Sequence, residues 1–306
     1  MKTLLRYCVG LDVSKDNLQV CLAVINSDGR VTVKASTKVA NKASSFAALS
    51  KWVGGHCKQQ NLPVRYVMEA TGGYHEQIAW FLYQHEHVVS VILPTKAHHY
   101  LRSLGQKSKN DTIDAVGLAR MGLEQLLPLW QPLSKNIYSL RLLTRQHQRL
   151  QELKTQCLNQ KHALEYSPIQ ELLIVKQLDK IVVLYEQQMQ ALLKAINELI
   201  QKDLLLKSQV ERLIAIKGLS LLSVATLIAE TNGFEGFPNQ RQLVSYAGYD
   251  VVENQSGKRV GKTRISKKVT AIFNVYFIYP LSMPFGMASK LAKLFLSEFI
   301  NEVVLR

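Results

Sequence analysis

Over roughly its first ninety residues the chain alternates short apolar runs suited to strands with longer stretches that repeat every three to four residues. Tyr7 to Asp12 reads as a buried strand, Leu18 to Ile25 as a second, and Arg30 to Val39 as a third after the turn at Ser27-Asp28-Gly29. The pattern then predicts a helix over about Lys42 to His56, a strand over Val64 to Glu69, a helix over Tyr74 to His85 and a strand over Val88 to Leu93. Three antiparallel strands followed by alternating helices and strands imply an α/β layer on a mixed sheet. After Pro94 the chain turns helical and basic, with a further helix from Asn110 or Asp111 to about Leu123.

Pro128 and Pro132, on either side of Trp130, punctuate the chain and mark a domain boundary. Two long amphipathic helices follow, Asn136 to Glu165 and Ile169 to Lys207, separated by Ser167-Pro168. Leu140, Leu143, His147, Leu150 and Leu153 form the stripe of the first, and Leu178, Ile181, Tyr185, Met189, Leu192, Ile196 and Leu199 that of the second. Such stripes suit a helical hairpin or coiled coil, closed within one chain or between two. From Val210 to Glu230 the order helix, Gly218 turn, helix resembles a helix-hairpin-helix, whose turn amides hold a backbone phosphate. The expected organisation is an α/β domain over 1–128, a helical connector over 129–208 and a mainly α C-terminal domain over 209–306.

Composition narrows the partners. Lys and Arg number 38 against 23 for Asp and Glu, a formal charge of +15 that favours polyanions, nucleic acid first. The four cysteines have no Cys-x-x-Cys spacing, so neither a zinc knuckle nor a disulfide framework is expected, and a reducing cytoplasm fits. Met1 to Val9 has no apolar core or small-residue cleavage site, so an export signal is not expected there. Val269 to Ser289 is uncharged, but Asn274, Ser282, Pro280 and Pro284 interrupt it, so no membrane span is expected.

Four carboxylates carry the candidate chemistry. Asp12 ends the first predicted strand and Glu69 the fourth, so neighbouring strands would bring both to one edge of the sheet. Asp111 and Asp114 stand three apart at a helix start, on one helical face. Oxygen ligands of this kind suit Mg²⁺, and two such ions about 3.5–4 Å apart clamp a phosphodiester. Taken singly, Asp111 and Asp114 also serve as helix-terminal charges and Glu69 as a surface residue. Farther along, Asn254 to Lys268 packs Lys258, Arg259, Lys262, Arg264, Lys267 and Lys268 with no acid, a segment fit to track phosphates. Ser256 stands beside Gly257 within it, where backbone can approach a phosphate closely.

Gly10-Leu11-Asp12-Val13-Ser14-Lys15, Glu69-Ala70-Thr71-Gly72, Lys109-Asn110-Asp111-Thr112-Ile113-Asp114-Ala115 and Ser256-Gly257 with Ile265-Ser266-Lys267 together resemble the DEDD transposases of the IS110 insertion sequences. The resemblance implies a RuvC-like, RNase H-type N-terminal domain in which Asp12, Glu69, Asp111 and Asp114 hold Mg²⁺, then a coiled-coil connector and a C-terminal transposase domain. It gives Ser256 the place of the nucleophile that forms a phosphoserine link to DNA and frees a 3′-hydroxyl. It further implies a bridge RNA that guides the enzyme to donor and target DNA, and a homo-oligomer, dimer or tetramer. The chain departs from the family pattern after Lys268, where Val269 begins the uncharged run. Two rival readings stand beside this one: a metal-dependent junction nuclease, and a nucleic-acid-binding protein whose chemistry has decayed.

Overall fold

The computed structural model describes residues 3–59, 61–105, 110–169, 171–215, 219–235, 239–246, 251–252, 255–256, 259–261 and 263–265. The chain divides after Pro132 into two compact units.

The first unit runs β1 (Leu4–Val13), β2 (Asn17–Asn26), β3 (Val31–Ala40), α1 (Ala43–His56), β4 (Val64–Glu69), α2 (Glu76–Gln84), β5 (Val88–Ile92), α3 (Pro94–Ser103) and α4 (Asp111–Glu124). Its five strands lie in the order β3-β2-β1-β4-β5. The first three are antiparallel neighbours, whereas β4 and β5 run parallel to β1. Two short turns make the antiparallel half. In the first, Ser14 Oγ donates to Asn17 O at 2.8 Å, and in the second Gly29 takes φ +75°, which costs glycine nothing. The parallel half needs crossovers, and α1 and α2 supply them.

Helices cover both faces of this sheet. Tyr7, Val9, Leu11 and Val13 of β1 pack with Phe46, Leu49 and Val53 of α1 and Ile78, Ala79 and Leu82 of α2. On the opposite face Cys8, Cys21, Ala23, Ile25 and Val67 pack with Ala115, Leu118, Ala119 and Met121 of α4. Double coverage explains why β1 and β2 read as nearly continuous apolar runs instead of alternating ones. Each fully buried Val or Leu contributes about 1.5–3 kcal/mol of transfer free energy. The Pro128–Pro132 stretch is tied down as well: Trp130 N–H donates to Val89 O at 2.8 Å, and its ring meets Trp80 and Tyr83 edge-on. The unit is thus the mixed-sheet α/β layer expected from the sequence, with α3 as an element of its own.

In the second unit α5 (Lys135–Glu165) and α6 (Leu172–Lys202) run antiparallel, joined by Lys154–Glu186 at 2.7 Å and Lys161–Asp179 at 2.5 Å. Leu140, His147, Leu150, Leu178 and Ile196 of the two apolar stripes are buried. The single helix expected to reach Lys207 instead stops at Lys202, and α7 (Leu204–Ile214) starts afresh. Asp203 is the reason. Its carboxylate accepts from Leu205 N and Leu206 N at 3.1 Å and from Asn136 Nδ2 at 2.7 Å, and these bonds hold it below the usual carboxylate range. α8 (Leu221–Thr231) packs with α5, α6 and α7 around Val210, Leu213, Val224 and Ile228. Beyond α9 (Gln240–Tyr246) two short ladders appear, β6 (Val251–Val252) with β9 (Arg264–Ile265) and β7 (Gln255–Ser256) with β8 (Arg259–Val260). The Gly218 turn and the Val269–Ser289 run lie outside the described residues. Among the described residues no helix is long and apolar enough to cross a membrane.

Candidate functional site

Strand register places the first two carboxylates side by side. β1 and β4 are parallel and paired up to Leu11 and Met68, so Asp12 and Glu69 are the next residues on adjacent strands. Leu11 and Met68 belong to the core under α1 and α2. By the two-residue period, Asp12 and Glu69 therefore share the opposite face, the one α4 covers. Backbones there are about 4.8 Å apart, and both acids are only half-buried.

Helix α4 brings the third stretch to the same place. A Cβ on Gly122 would lie 2.4 Å from Cys8 Sγ, while one on Gly10 would lie 2.0 Å from Ala115 O and 2.4 Å from Ala119 N. Moving up β1 from Cys8 to Gly10 thus moves back along α4 by about a turn, so the helix runs against the strand. Two residues beyond Gly10, about 6.7 Å along β1, stands Asp12. Four residues before Ala115, about 6 Å along the helix, stands Asp111. Both steps lead to the first turn of α4, which carries Asp111 and Asp114. Asn110 caps that turn, its Oδ1 accepting from Ile113 N at 2.8 Å. Glycine at position 10 is what lets the helix approach so closely.

The loops around the pair are braced. Asn41 Nδ2 donates to Ser14 O at 2.9 Å and to Tyr74 O at 3.1 Å, tying the turn after Asp12 to the loop after Glu69. No sequence pattern marks Asn41 for this role. His75, in the same loop, is buried, and loss of solvation keeps its imidazole below the ordinary pKa. Cys8, beneath Gly122, is fully buried, and desolvation drives its thiol pKa far up, so it acts as an apolar filler.

Among the described residues no three His, Cys, Asp or Glu side chains stand close enough to hold one metal ion together. The backbone therefore gathers Asp12, Glu69 and the start of α4, but Asp111 remains exposed and Asp114 half-buried on the helix end. The donor chemistry fits a hard cation, since every group offered is a carboxylate oxygen.

For the C-terminal stretch the backbone alone is described. Ser256 pairs with Arg259 and Gln255 with Val260 in a two-stranded antiparallel ladder. Arg264 lies on β9. Lys258, Lys262, Lys267 and Lys268 lie outside the described residues.

Two sequence families match the chain. The first, a transposase family of the DEDD IS110 type, matches residues 9–165, and the second, the transposase IS116/IS110/IS902 family, matches residues 210–281. The chain belongs to the IS110 family of transposases. Its residues Asp12, Glu69, Asp111 and Asp114 all fall within the first match, and Ser256 within the second. This IS110-family protein is an enzyme, a DNA transposase or recombinase, and DNA is its partner. It is similar to the pilin gene-inverting proteins of Moraxella lacunata and Moraxella bovis, each 28% identical over 256 residues, which is 83% of this chain and 75% of theirs. Among solved structures it is similar to RuvC from T. thermophilus in complex with a Holliday junction substrate, at 10% identity and TM-score 0.31 over 40% of this chain and 99% of that one. It is also similar to the yeast mitochondrial Holliday junction resolvase Ydc2, at 15% identity and TM-score 0.29 over 39% of this chain and 79% of that one. Scores of this size add nothing to the strand order itself.

Proposed function

We propose that this IS110-family enzyme cuts and rejoins DNA through a phosphoserine intermediate on Ser256, with Asp12, Glu69, Asp111 and Asp114 holding Mg²⁺, to move an insertion sequence. The observation that carries this reading is the meeting of Asp12 and Glu69 in register with the first turn of α4 set against them. A bound Mg²⁺ would stabilise negative charge on the attacking and leaving oxygens of a phosphodiester. The chain's own residues do the rest. Ser256 Oγ gives up its proton and attacks phosphorus; the bond from phosphorus to the 3′ oxygen breaks, and that oxygen leaves as a 3′-hydroxyl after taking a proton. The number of phosphodiester linkages is unchanged, so a second 3′-hydroxyl can attack the phosphoserine and rejoin strands without ATP. Lys258, Arg259, Lys262, Arg264, Lys267 and Lys268 would track the DNA backbone.

Family resemblance supports a bridge RNA that pairs with donor and target DNA, so that base pairing reads sequence while the protein reads backbone. A homo-oligomer accords with the exposed Leu172, Leu173, Val183 and Leu184 along α6. The site of action we assign is the cytoplasm, whose reducing conditions suit the free cysteines Cys8, Cys21, Cys57 and Cys157. The domain scheme follows the expected one: acidic domain 1–128, helical connector 129–208, and serine-bearing domain 209–306.

The test is capture of a covalent protein–DNA adduct. Ser256→Ala abolishes the adduct and strand exchange together, and an adduct that persists in Ser256→Ala refutes the nucleophile. Cleavage that survives Ser256→Ala but dies in Asp12→Asn identifies a junction nuclease instead. DNA binding without any exchange by the unmutated protein identifies a decayed enzyme.

A further inference from the structure

The row of residues that holds Asp12 and Glu69 continues across the sheet. Asp12 pairs with Gln19 of β2, and Gln19 pairs with Lys38 of the edge strand β3. On the other side Glu69 pairs with Ile92 of β5. Face assignment is fixed by the cores. Leu18 and Val20 pack under α1 and α2, and Val39 packs there too, whereas Cys21 and Ile92 pack with α4. Lys38, Gln19, Asp12 and Glu69 therefore share the face that α4 covers, one after another across four strands.

The row changes character along its length. It is apolar at Ile92, acidic at Glu69 and Asp12, neutral and hydrogen-bonding at the half-buried Gln19, and cationic at the exposed Lys38. Lys38 lies two strands from Asp12, about 9.6 Å between backbones. A lysine stem spans several ångströms more, so its ammonium can meet a phosphate next to, but not at, the one held by the acids. Two further exposed lysines stand at this end of the sheet: Lys15 in the turn after β1, and Lys42 just after β3. Carboxylates repel a polyanion, so an acidic site acting on DNA needs cations at its flank to draw the strand across it.

We propose that Lys38, with Gln19 beside it, binds the DNA phosphate backbone next to the scissile position and leads one strand across the edge of β3 into the acidic pair. Lys38 supplies the charge and Gln19 an amide N–H to a phosphate oxygen, while Lys15 and Lys42 enlarge the positive rim. This contact uses other residues than the basic segment around Ser256 and reads no sequence. It rests on the acidic site being where DNA is cut.

The experiment uses the full-length protein and a fixed-sequence DNA duplex, with affinity measured over a range of salt and cleavage measured separately. Lys38→Ala weakens binding about tenfold at low salt and lowers the slope of log affinity against log salt by about 0.9, the value for one phosphate contact. Lys38→Arg keeps both. Cleavage by Lys38→Ala shows a raised KM with kcat little changed. Lys51→Ala, on α1 and so on the other side of the sheet, leaves slope and KM alone. An unchanged slope in Lys38→Ala, or an equal loss in Lys51→Ala, overturns the track even where Asp12→Asn is inactive. Cleavage that persists in Asp12→Asn removes the acidic site instead, and with it the track's destination.

Discussion

Gly10→Ala tests the contact on which the acidic site depends. The new methyl would start 2.0 Å from Ala115 O and 2.4 Å from Ala119 N, where ordinary van der Waals contact begins at 3.4 Å. Both neighbours are helix backbone, so no side chain can swing aside, and α4 must move off β1 by about 1.4 Å. Overpacking of this kind costs about 1–3 kcal/mol, and a backbone clash on two sides belongs at the upper end. With about 2–4 °C of Tm per kcal/mol, melting should fall by roughly 6–12 °C. The functional loss should be larger than the structural one. Asp111 and Asp114 ride on α4, and a displacement of about 1 Å from productive geometry costs on the order of 100-fold in rate. Calorimetry through the melt, together with DNA cleavage assayed below the melting range, separates the two effects. Gly117→Ala serves as the control, because its methyl clashes only with the tip of the Leu101 side chain, at 2.0 Å from Cδ2, which can rotate. A Gly10→Ala protein that melts and cleaves like the parent would refute the seating of α4 on β1.

Stability should also fall as pH drops from about 7 to 5. Burial holds His75, His87 and His147 below the ordinary imidazole value, so in that window the unfolded chain binds protons that the folded one refuses. The loss begins near the unfolded value of about 6.5 and levels off below the folded ones. Urea melts at three pH values check the sign, and a midpoint that rises on acidification contradicts it. In the second unit, Arg145 Nε and Nη2 donate to Glu230 at 2.8 Å, and the Glu230 side chain is only 3% exposed. Arg145→Met leaves that carboxylate short of two donors and should cost about 1–3 kcal/mol, read as a lowered Tm; an unchanged melt would mean that Arg141 alone suffices.

Much of the candidate acidic site is legible in the sequence itself. Asp12 and Glu69 end apolar runs, and Asp111 and Asp114 open a helix, so residue type and position in the element already marked all four. Asn41 and Gln19 were not legible, because a lone amide after a strand or inside one has no distinguishing neighbours. The break at Asp203 was missed for a different reason. Apolar periodicity continues through Leu204 to Leu206, and only the bonds that Asp203 accepts from Leu205 N, Leu206 N and Asn136 Nδ2 show that the helix restarts there.

The sequence by itself determined most of the elements and the faces they bury, and marked the four acids and the basic serine segment as candidates, because these depend on local propensity, periodicity and residue chemistry. Tertiary structure alone decided which strands became neighbours. The parallel pairing of β1 with β4 joins residues more than fifty apart, and nothing local in either strand specifies its partner. That pairing sets Asp12 beside Glu69, and the missing side chain at Gly10 lets α4 bring Asp111 and Asp114 to the same end of the sheet.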